Sequence, residues 1–140
     1  MTYPTSLFSN NLKINNENDF GGEISIAGCS VRSLVKEFGS PLKSGEVPKL
    51  RVRFTGRKNL CGYYYKRELY VFPDNMTNLK DLVATVVHEY THFLQMPAKN
   101  DMKKYYKLYE LDGYDNQFER EAFAAEKKYT TKVMKQLNLL

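Results

Sequence analysis

The stretch Val86–Gln95, VVHEYTHFLQ, decides the fold of this chain, because it contains both of the chain's histidines. His88 and His92 are four residues apart, and residues at this spacing lie one above the other on one face of an α-helix. They can therefore offer two imidazole nitrogens to one metal ion. Glu89 lies about 100° further round the helix, where its carboxylate can reach a water molecule without being a ligand. The pattern predicts a zinc site with a general base, carried on one helix.

Sequence signals on both sides of this stretch delimit its helix. Asn78 and Asp81 have the spacing of a capping box, and Pro97 does not continue a helix. The helix is therefore predicted over residues 78–96. Two histidines and a glutamate on so apolar a helix would be costly to bury without a partner. This cost favours the metal site over the alternative, a chance pair of histidines on an amphipathic helix. The apolar residues are Leu79, Leu82, Val83, Val86, Val87, Phe93 and Leu94.

The N-terminal part of the chain carries weaker signals. Residues 1–28 are rich in Asn, Ser and Gly, which predicts an N-terminal arm. Its end, GGEISIAGC (residues 21–29), is a candidate short strand. Ser30 is placed as the N-cap of a helix predicted over residues 30–39, with Gly39 in the C-terminal cap position.

Three strand candidates make up a predicted sheet over residues 49–72. Residues 49–55, KLRVRFT, alternate apolar and basic side chains, the period of a half-buried strand. LCGYYY (60–65) and ELYVF (68–72) follow and predict an antiparallel hairpin, although the Lys-Arg pair between them is not a favoured turn. ELYVF could also serve as an edge for an extended peptide, but an ordinary sheet strand is the preferred interpretation. The expected fold class is α+β, with a small antiparallel sheet packed on the histidine helix.

The third metal ligand is expected to be a carboxylate, because the chain has no third histidine and a catalytic zinc site uses three protein ligands. The C-terminal helix is predicted over residues 117–137, with an inward stripe of Ala122, Ala125, Tyr129 and Val133. Glu119 projects about 60° from the centre of this stripe and Glu121 about 100° to the other side. Glu119 is the preferred ligand and Glu121 the alternative. The candidates weighed were Asp101, Glu110, Asp112, Asp115, Glu119, Glu121 and Glu126.

The segment between these two helices, NDMKKYYKLYELDGYDNQ (residues 100–117), is predicted to be a connection with at most one helical turn. It could fold over the metal, and an oxyanion stabiliser is needed for acyl transfer. Tyr114 is the candidate for that role, with Tyr106 as another. Packing or surface exposure is the expected role of most of the eleven tyrosines.

The second half of the chain resembles a known family. HEYTH followed by Glu119-x-x-Ala122 resembles the gluzincin zinc peptidases, most closely the small ones of phages and mobile elements, some of which cleave repressors. The resemblance implies that His88, His92 and Glu119 bind zinc and that Glu89 is the general base. It also implies a minimal zincin-like fold, with a small sheet, an active-site helix and a ligand-bearing helix.

One position departs from the pattern of that family. The family often has Asn or Asp four residues after the glutamate, where this side chain can support a ligand histidine. Here the position is Phe123. Another acid, such as Glu126 or Asp115, could take over the supporting role.

Composition and charge bound the remaining functions. The 140 residues suit one domain, no apolar run is long enough to span a bilayer, and no signal peptide is visible. A cytoplasmic or virion-associated protein is expected. The net charge of +5 is spread out and fits no nucleic-acid-binding motif. Cys29 and Cys61 are expected to be reduced thiols.

The expected partners are Zn²⁺ and a protein or peptide substrate, with neither membrane nor nucleic acid. A chain of this size would form a shallow cleft, which a further protein could complete. Two alternatives belong to other classes. The first is a non-catalytic zinc protein with Cys29 or Cys61 as a fourth ligand. The second is a structural or interaction protein, for example of a virus particle, that retains a peptidase fold.

Overall fold

Four α-helices and a three-stranded sheet form the regular structure of the described residues, which gives an α+β fold as predicted. The structure is a computed structural model that describes residues 21–54, 59–98 and 101–140. A short 3-10 turn, Pro73–Asn75, precedes the second helix. The elements are α1 (Gly21–Phe38), β1 (Lys49–Val52), β2 (Gly62–Tyr65), β3 (Glu68–Val71), α2 (Leu79–Gln95), α3 (Met102–Asp112) and α4 (Gln117–Gln136).

Helix α2 is the centre of the fold. Eleven of its seventeen residues are buried, and it packs against α1, α4 and the hairpin of β2 and β3. The Asn78 side chain accepts a hydrogen bond from the Asp81 N–H at 2.8 Å, which caps the first turn. At the other end, the Met96 N–H donates to the His92 carbonyl at 2.8 Å. The predicted helix, including its N-cap, is confirmed.

The sheet is mixed, with strand order β1-β3-β2. The predicted hairpin is confirmed, because β2 and β3 pair antiparallel. The prediction of an entirely antiparallel sheet is wrong, because β1 lies on the other side of β3 and runs parallel to it. The nine residues between β1 and β2 are long enough for the chain to cross to the far edge. β3 is therefore the central strand, and the two edges of the sheet belong to β1 and β2 rather than to ELYVF.

The hairpin turn uses two residues in the left-handed region. Lys66 has φ 45° and Arg67 has φ 67°, a conformation that a two-residue hairpin requires and that Asn or Gly adopts more easily. The Arg67 N–H donates to the Tyr64 hydroxyl at 3.0 Å, and its Nε donates to the Pro97 carbonyl at 2.7 Å. The guanidinium also pairs with Glu46 at 2.6 Å. These contacts tie the turn to the end of α2.

The prediction for the N-terminal part is wrong over residues 21–29. Helix α1 begins at Gly21 and continues through the candidate strand to Phe38. The Ser30 hydroxyl donates to the Ile26 carbonyl at 2.8 Å, so Ser30 lies within the helix instead of capping it. Most of the buried residues in the described part of α1 recur at helical spacing: Ile26, Ala27, Cys29, Ser30, Val31 and Leu34. Residues 1–20 of the predicted arm lie outside the described residues.

Helix α3 occupies the segment that was predicted to be a connection. It has eleven residues and ends at Gly113, whose φ of 61° is favourable for glycine. Met102 is its only buried residue. The helix has no apolar stripe facing the core, and the sequence therefore lacked the periodic signal that predicts helices.

The C-terminal helix is confirmed as α4, Gln117–Gln136. Its packing against α2 is close because Ala122 is fully buried between the two helices. Within the part of the chain that the structure describes, no helix has the length and apolar character needed to cross a membrane.

Candidate metal centre

The three preferred ligands meet in one buried group. The Nε2 atom of His88 lies 2.7 Å from Oε1 of Glu119, and Nε2 of His92 lies 3.0 Å from the same oxygen. The ligand atoms of these residues all lie within 4.8 Å of one another. Two imidazole nitrogens and a carboxylate oxygen are a donor set that metal ions accept. The group could therefore hold one ion.

The other ring nitrogen of each histidine is held by an oxygen. Nδ1 of His88 lies 2.5 Å from Oε2 of Glu126, and Nδ1 of His92 lies 2.8 Å from Oε1 of Gln95. Gln95 in turn donates its Nε2 to the Phe118 carbonyl at 3.1 Å. Each Nδ1 thus faces an oxygen, and a neutral ring with its N–H on Nδ1 would present Nε2 to a metal ion. The sequence offered Glu126 as one of two acids for such a contact, whereas the contact of Gln95 was not predicted.

Glu126 makes the side-chain contact to His88 that Phe123 cannot make. Phe123 is 52 % exposed, and its ring contacts His88 edge-on with centroids 4.7 Å apart. Between the two acids considered for the supporting role, Glu126 is in contact with the histidine. Asp115 is exposed and pairs with Arg120 at 3.1 Å. The supporting carboxylate thus comes from the next turn of α4.

The start of α4 fixes the position of Glu119. The buried Asn116 caps the helix by accepting the Glu119 N–H at 3.0 Å, and its Nδ2 donates to the Gly113 carbonyl at 2.8 Å. The Tyr105 hydroxyl donates to Oε2 of Glu119 at 2.5 Å. One carboxylate oxygen therefore faces the histidines, and the other is held by α3.

The hydrogen bonds within the group shift pKa values in opposite directions. Burial would raise the pKa of Glu119, but hydrogen bonds from both histidines and from Tyr105 hold it well below its usual range. Burial would lower the pKa of His88, but its hydrogen bonds with Glu119 and Glu126 raise it to about 10. Burial and the bond to Glu119 raise the pKa of Tyr105, which keeps its hydroxyl protonated as the donor.

Glu89 is buried beside the group and lines the cavity described below. Among the described residues, its carboxylate accepts no hydrogen bond, unlike that of Glu119. Burial raises the pKa of Glu89 to about 7, although the neighbouring His92 and His88 act to lower it. A carboxylate with such a pKa can accept and release a proton near neutral pH.

The remaining carboxylates and the cysteines do not join the group. Glu121, the alternative ligand, is exposed on the outer face of α4. Within the described residues, the group consists of His88, His92 and Glu119. Among the described residues, neither cysteine forms a disulfide. The other acids considered from the sequence that do not join it are Asp101, Glu110, Asp112, Asp115 and Glu126.

The tyrosine closest to the group differs from the predicted one. Tyr114 lines the cavity but is 61 % exposed, and its ring contacts Tyr109 at 5.1 Å. Tyr106 is 46 % exposed. Tyr105 instead contacts His92, with ring centroids 5.9 Å apart, and bonds to Glu119. No sequence signal distinguishes Tyr105 from its neighbours.

A cavity of about 740 Å³ adjoins the group. Its walls are β2 and the facing parts of α2, α3 and α4. Gly62 allows β2 to lie directly on α2, since a Cβ there would be 2.6 Å from Cγ2 of Thr85 and 2.5 Å from the Tyr70 carbonyl oxygen. The absence of this side chain keeps the strand against the helix that carries the histidines.

Comparisons with known proteins give no further guide to this site. No protein-family model matches the chain, and neither a curated protein nor a solved structure is significantly similar to it.

Proposed function

We propose that this protein is a zinc-dependent metallopeptidase of the gluzincin type. The observation that carries the proposal is the buried group of His88, His92 and Glu119, with Glu89 directly beside it. Two imidazoles and one carboxylate are the ligands of a common class of catalytic zinc site, and three protein ligands leave a coordination position open. Because both Nδ1 atoms are held by oxygens, Nε2 of each histidine is oriented for the ion.

Glu89 has the role of general base in this proposal. A zinc ion bound at the group supplies Lewis acidity, which lowers the pKa of water and polarises a carbonyl. Glu89 accepts the proton of the attacking water on its carboxylate and can then donate it to the leaving amine nitrogen. Burial raises the pKa of Glu89 in the zinc-free protein, which makes its carboxylate a better proton acceptor. The interior position of Glu89 keeps bulk water away from this transfer.

The exposed backbone edge of β2 favours a peptide as the substrate. The Phe72 N–H donates to the Cys61 carbonyl at 2.7 Å, which makes that pair a hydrogen-bonded one. Pairs alternate along an antiparallel ladder, so the backbone groups of Gly62 and Tyr64 point away from β3. Both residues line the cavity. An extended peptide could therefore pair with this edge. Its backbone would lie beside His88, His92 and Glu119, which we call the metal group.

Metal content and peptide cleavage, measured together, test the proposal. Wild type and Glu89→Gln are purified, supplied with zinc, analysed for metal and incubated with a peptide digest of an unrelated proteome, whose products are identified by mass spectrometry. Both should bind one zinc per chain. Only wild type should cleave, with the variant slower by roughly 10²–10⁴-fold.

Glu121→Gln is the matched control, because Glu121 is an exposed glutamate on α4. It should keep both zinc and cleavage. Zinc-loaded wild type that cleaves no peptide would favour a non-catalytic metal protein. Absence of zinc from wild type after resupply would remove the basis of the proposal.

A further inference from the structure

Four tyrosines of α3 and the residues after it line one side of the cavity; we call them the tyrosine wall: Tyr105, Tyr106, Tyr109 and Tyr114. Their rings form a series that starts at the metal group. His92 and Tyr105 have ring centroids 5.9 Å apart, Tyr105 and Tyr109 6.2 Å, and Tyr109 and Tyr114 5.1 Å. Aromatic surface therefore extends from a ligand histidine to the rim of the cavity.

Most of the tyrosine wall lies outside the hydrophobic core, since only Tyr105 of its four residues packs against the core. Tyr106, Tyr109 and Tyr114 are 46 %, 40 % and 61 % exposed, and Met102 is the only buried residue of α3. Packing of the fold therefore does not account for so many large rings here. Rings exposed together in a cavity are typical of binding sites. Tyrosine suits such a surface, because its ring offers apolar contact area while its hydroxyl stays hydrated.

The charges of the cavity indicate what the wall can accept. No described lysine or arginine lines the cavity, and its charged groups outside the metal group are carboxylates. Asp81 precedes His88 by seven residues on α2, about 10 Å along the helix axis, and Glu126 contacts His88. The tyrosine wall begins at the other histidine. Asp81 and Glu126 thus lie toward His88, whereas the charges of Glu89 and Glu119 act on Tyr105 and Tyr114. An anionic side chain would therefore be repelled by the cavity as a whole, while the exposed rings offer apolar contact area.

The residues of β2 and the tyrosine wall line the same cavity. Successive side chains of an extended peptide point to opposite sides, about 3.3 Å apart along the chain. A peptide paired with β2 would therefore turn every second side chain toward the cavity. With a four-residue strand, two of these side chains can face the cavity.

We propose that the tyrosine wall binds one aromatic or large aliphatic side chain of an extended peptide, and that the cavity disfavours acidic side chains there. The inference rests on the proposed function, because it assigns a substrate preference to the same site. It makes this wall the main determinant of which peptides are bound.

Binding of matched peptides tests this preference without hydrolysis. Biotinylated peptides of glycine and serine, each with one central Phe, Leu, Ala, Lys or Glu, are immobilised and titrated with zinc-loaded Glu89→Gln protein by surface plasmon resonance. The uniform background lets the central residue reach the wall in any register. The Phe and Leu peptides should bind at least about tenfold more tightly than the Ala peptide, given the area that such side chains bury. The Glu peptide should bind most weakly.

Two variants, made in the same background, locate the preference. Substitution of Tyr106, Tyr109 and Tyr114 by Ser together should abolish it, and the single Tyr114→Ser should reduce it. The control is Leu111→Ser, because Leu111 is on the same helix, is 79 % exposed and does not line the cavity. Zinc content verifies that each variant keeps its metal group.

Three results overturn the inference while leaving the metallopeptidase proposal in place. They are equal or undetectable binding of all five peptides to zinc-loaded protein, tightest binding of the Lys or Glu peptide, and a preference that survives the triple substitution. A preference for Phe and Leu in protein that binds no zinc would separate the two proposals differently. It would support side-chain binding by the tyrosine wall and overturn the proposed zinc peptidase function.

Discussion

Helices α4 and α3 both contribute to the candidate site, but the fold holds them very differently. The first turn of α4 is capped by the buried Asn116, and Ala122 packs fully buried on α2. α3 has no side-chain cap, and only Met102 is buried. α4 places the carboxylate of Glu119 between the histidines, whereas α3 places rings in a cavity. The fold therefore fixes the candidate metal group by core packing, whereas the proposed substrate surface is carried by a helix with one buried residue.

The comparison predicts that changes in zinc affinity should be large for α4 and small for α3. Glu119→Gln should have the largest effect, because it removes the charged ligand oxygen between the two histidines. The loss should exceed the roughly 10–100-fold typical of residues that only support a ligand. Competition with a chromophoric chelator measures it, with Glu121→Gln as the control. If Glu119→Gln and Glu121→Gln lose the same zinc affinity, the assignment of Glu119 as a ligand is wrong.

Glu126→Gln should have the next largest effect. An amide can still accept the Nδ1–H of His88 but carries no charge, so zinc affinity should fall by roughly 10–100-fold. The matched control is Asp115→Asn, an exposed acid near the start of the same helix, which should leave the affinity unchanged. If Glu126→Gln behaves like that control, the supporting role of Glu126 is wrong.

Protons should compete with zinc for His88. Burial would lower the pKa of this residue, but hydrogen bonds with Glu119 and Glu126 raise it from 6.5 to about 10. Below the folded-state pKa of about 10 zinc must displace this proton, so its affinity should rise with pH by up to about tenfold per unit. Chelator competition at several pH values measures this slope, and an affinity independent of pH from about 7 to about 9 would contradict it.

The zinc-free protein should show the reverse trend in its free energy of unfolding. The pKa of His88 is higher in the folded state, so its stabilising contribution is complete below pH 6.5 and is lost as the pH rises to about 10. Urea unfolding with a chelator present measures the change. Because other groups also titrate, the difference between wild type and His88→Gln is the quantity to follow. This difference should shrink as the pH rises.

The smallest effect is expected on α3. Tyr105→Phe removes one hydrogen bond to Glu119 but leaves the ring in place. Such a loss corresponds to roughly a 2–10-fold fall in zinc affinity. Tyr106→Phe, on the neighbouring exposed ring, should have no effect. A loss above 100-fold, well beyond about one hydrogen bond, would place α3 with α4 in the rigid part of the site and end the contrast between them.

Elements with strong local signals were predictable from the sequence. α2 has a cap, an apolar face and a terminating proline, and α4 has an apolar stripe. The parallel pairing of β1 was not predictable, because it depends on where a nine-residue connection returns the chain. The extent of α1 was missed because Ser30 was interpreted as a cap, although its hydroxyl bonds within the helix.

The same distinction applies to the site. His88, Glu89 and His92 follow from spacing on one helix, and the orientation of Glu119 followed from its angle to the stripe of α4. The contacts of Glu126, Gln95 and Tyr105 depend on how three helices meet. Periodicity within a single segment carries no information about such contacts.

The hairpin turn shows how an unfavourable local choice can serve a distant element. Asn-Gly in place of Lys66 and Arg67 would relieve the left-handed backbone. It would also remove the guanidinium that holds the Pro97 carbonyl and pairs with Glu46. An engineered turn of that kind should therefore form the isolated hairpin more readily while leaving the sheet less firmly attached to the C-terminal end of α2. Arg67 thus has a left-handed backbone and also attaches the hairpin of β2 and β3 to the end of α2. The two properties cannot be optimised separately.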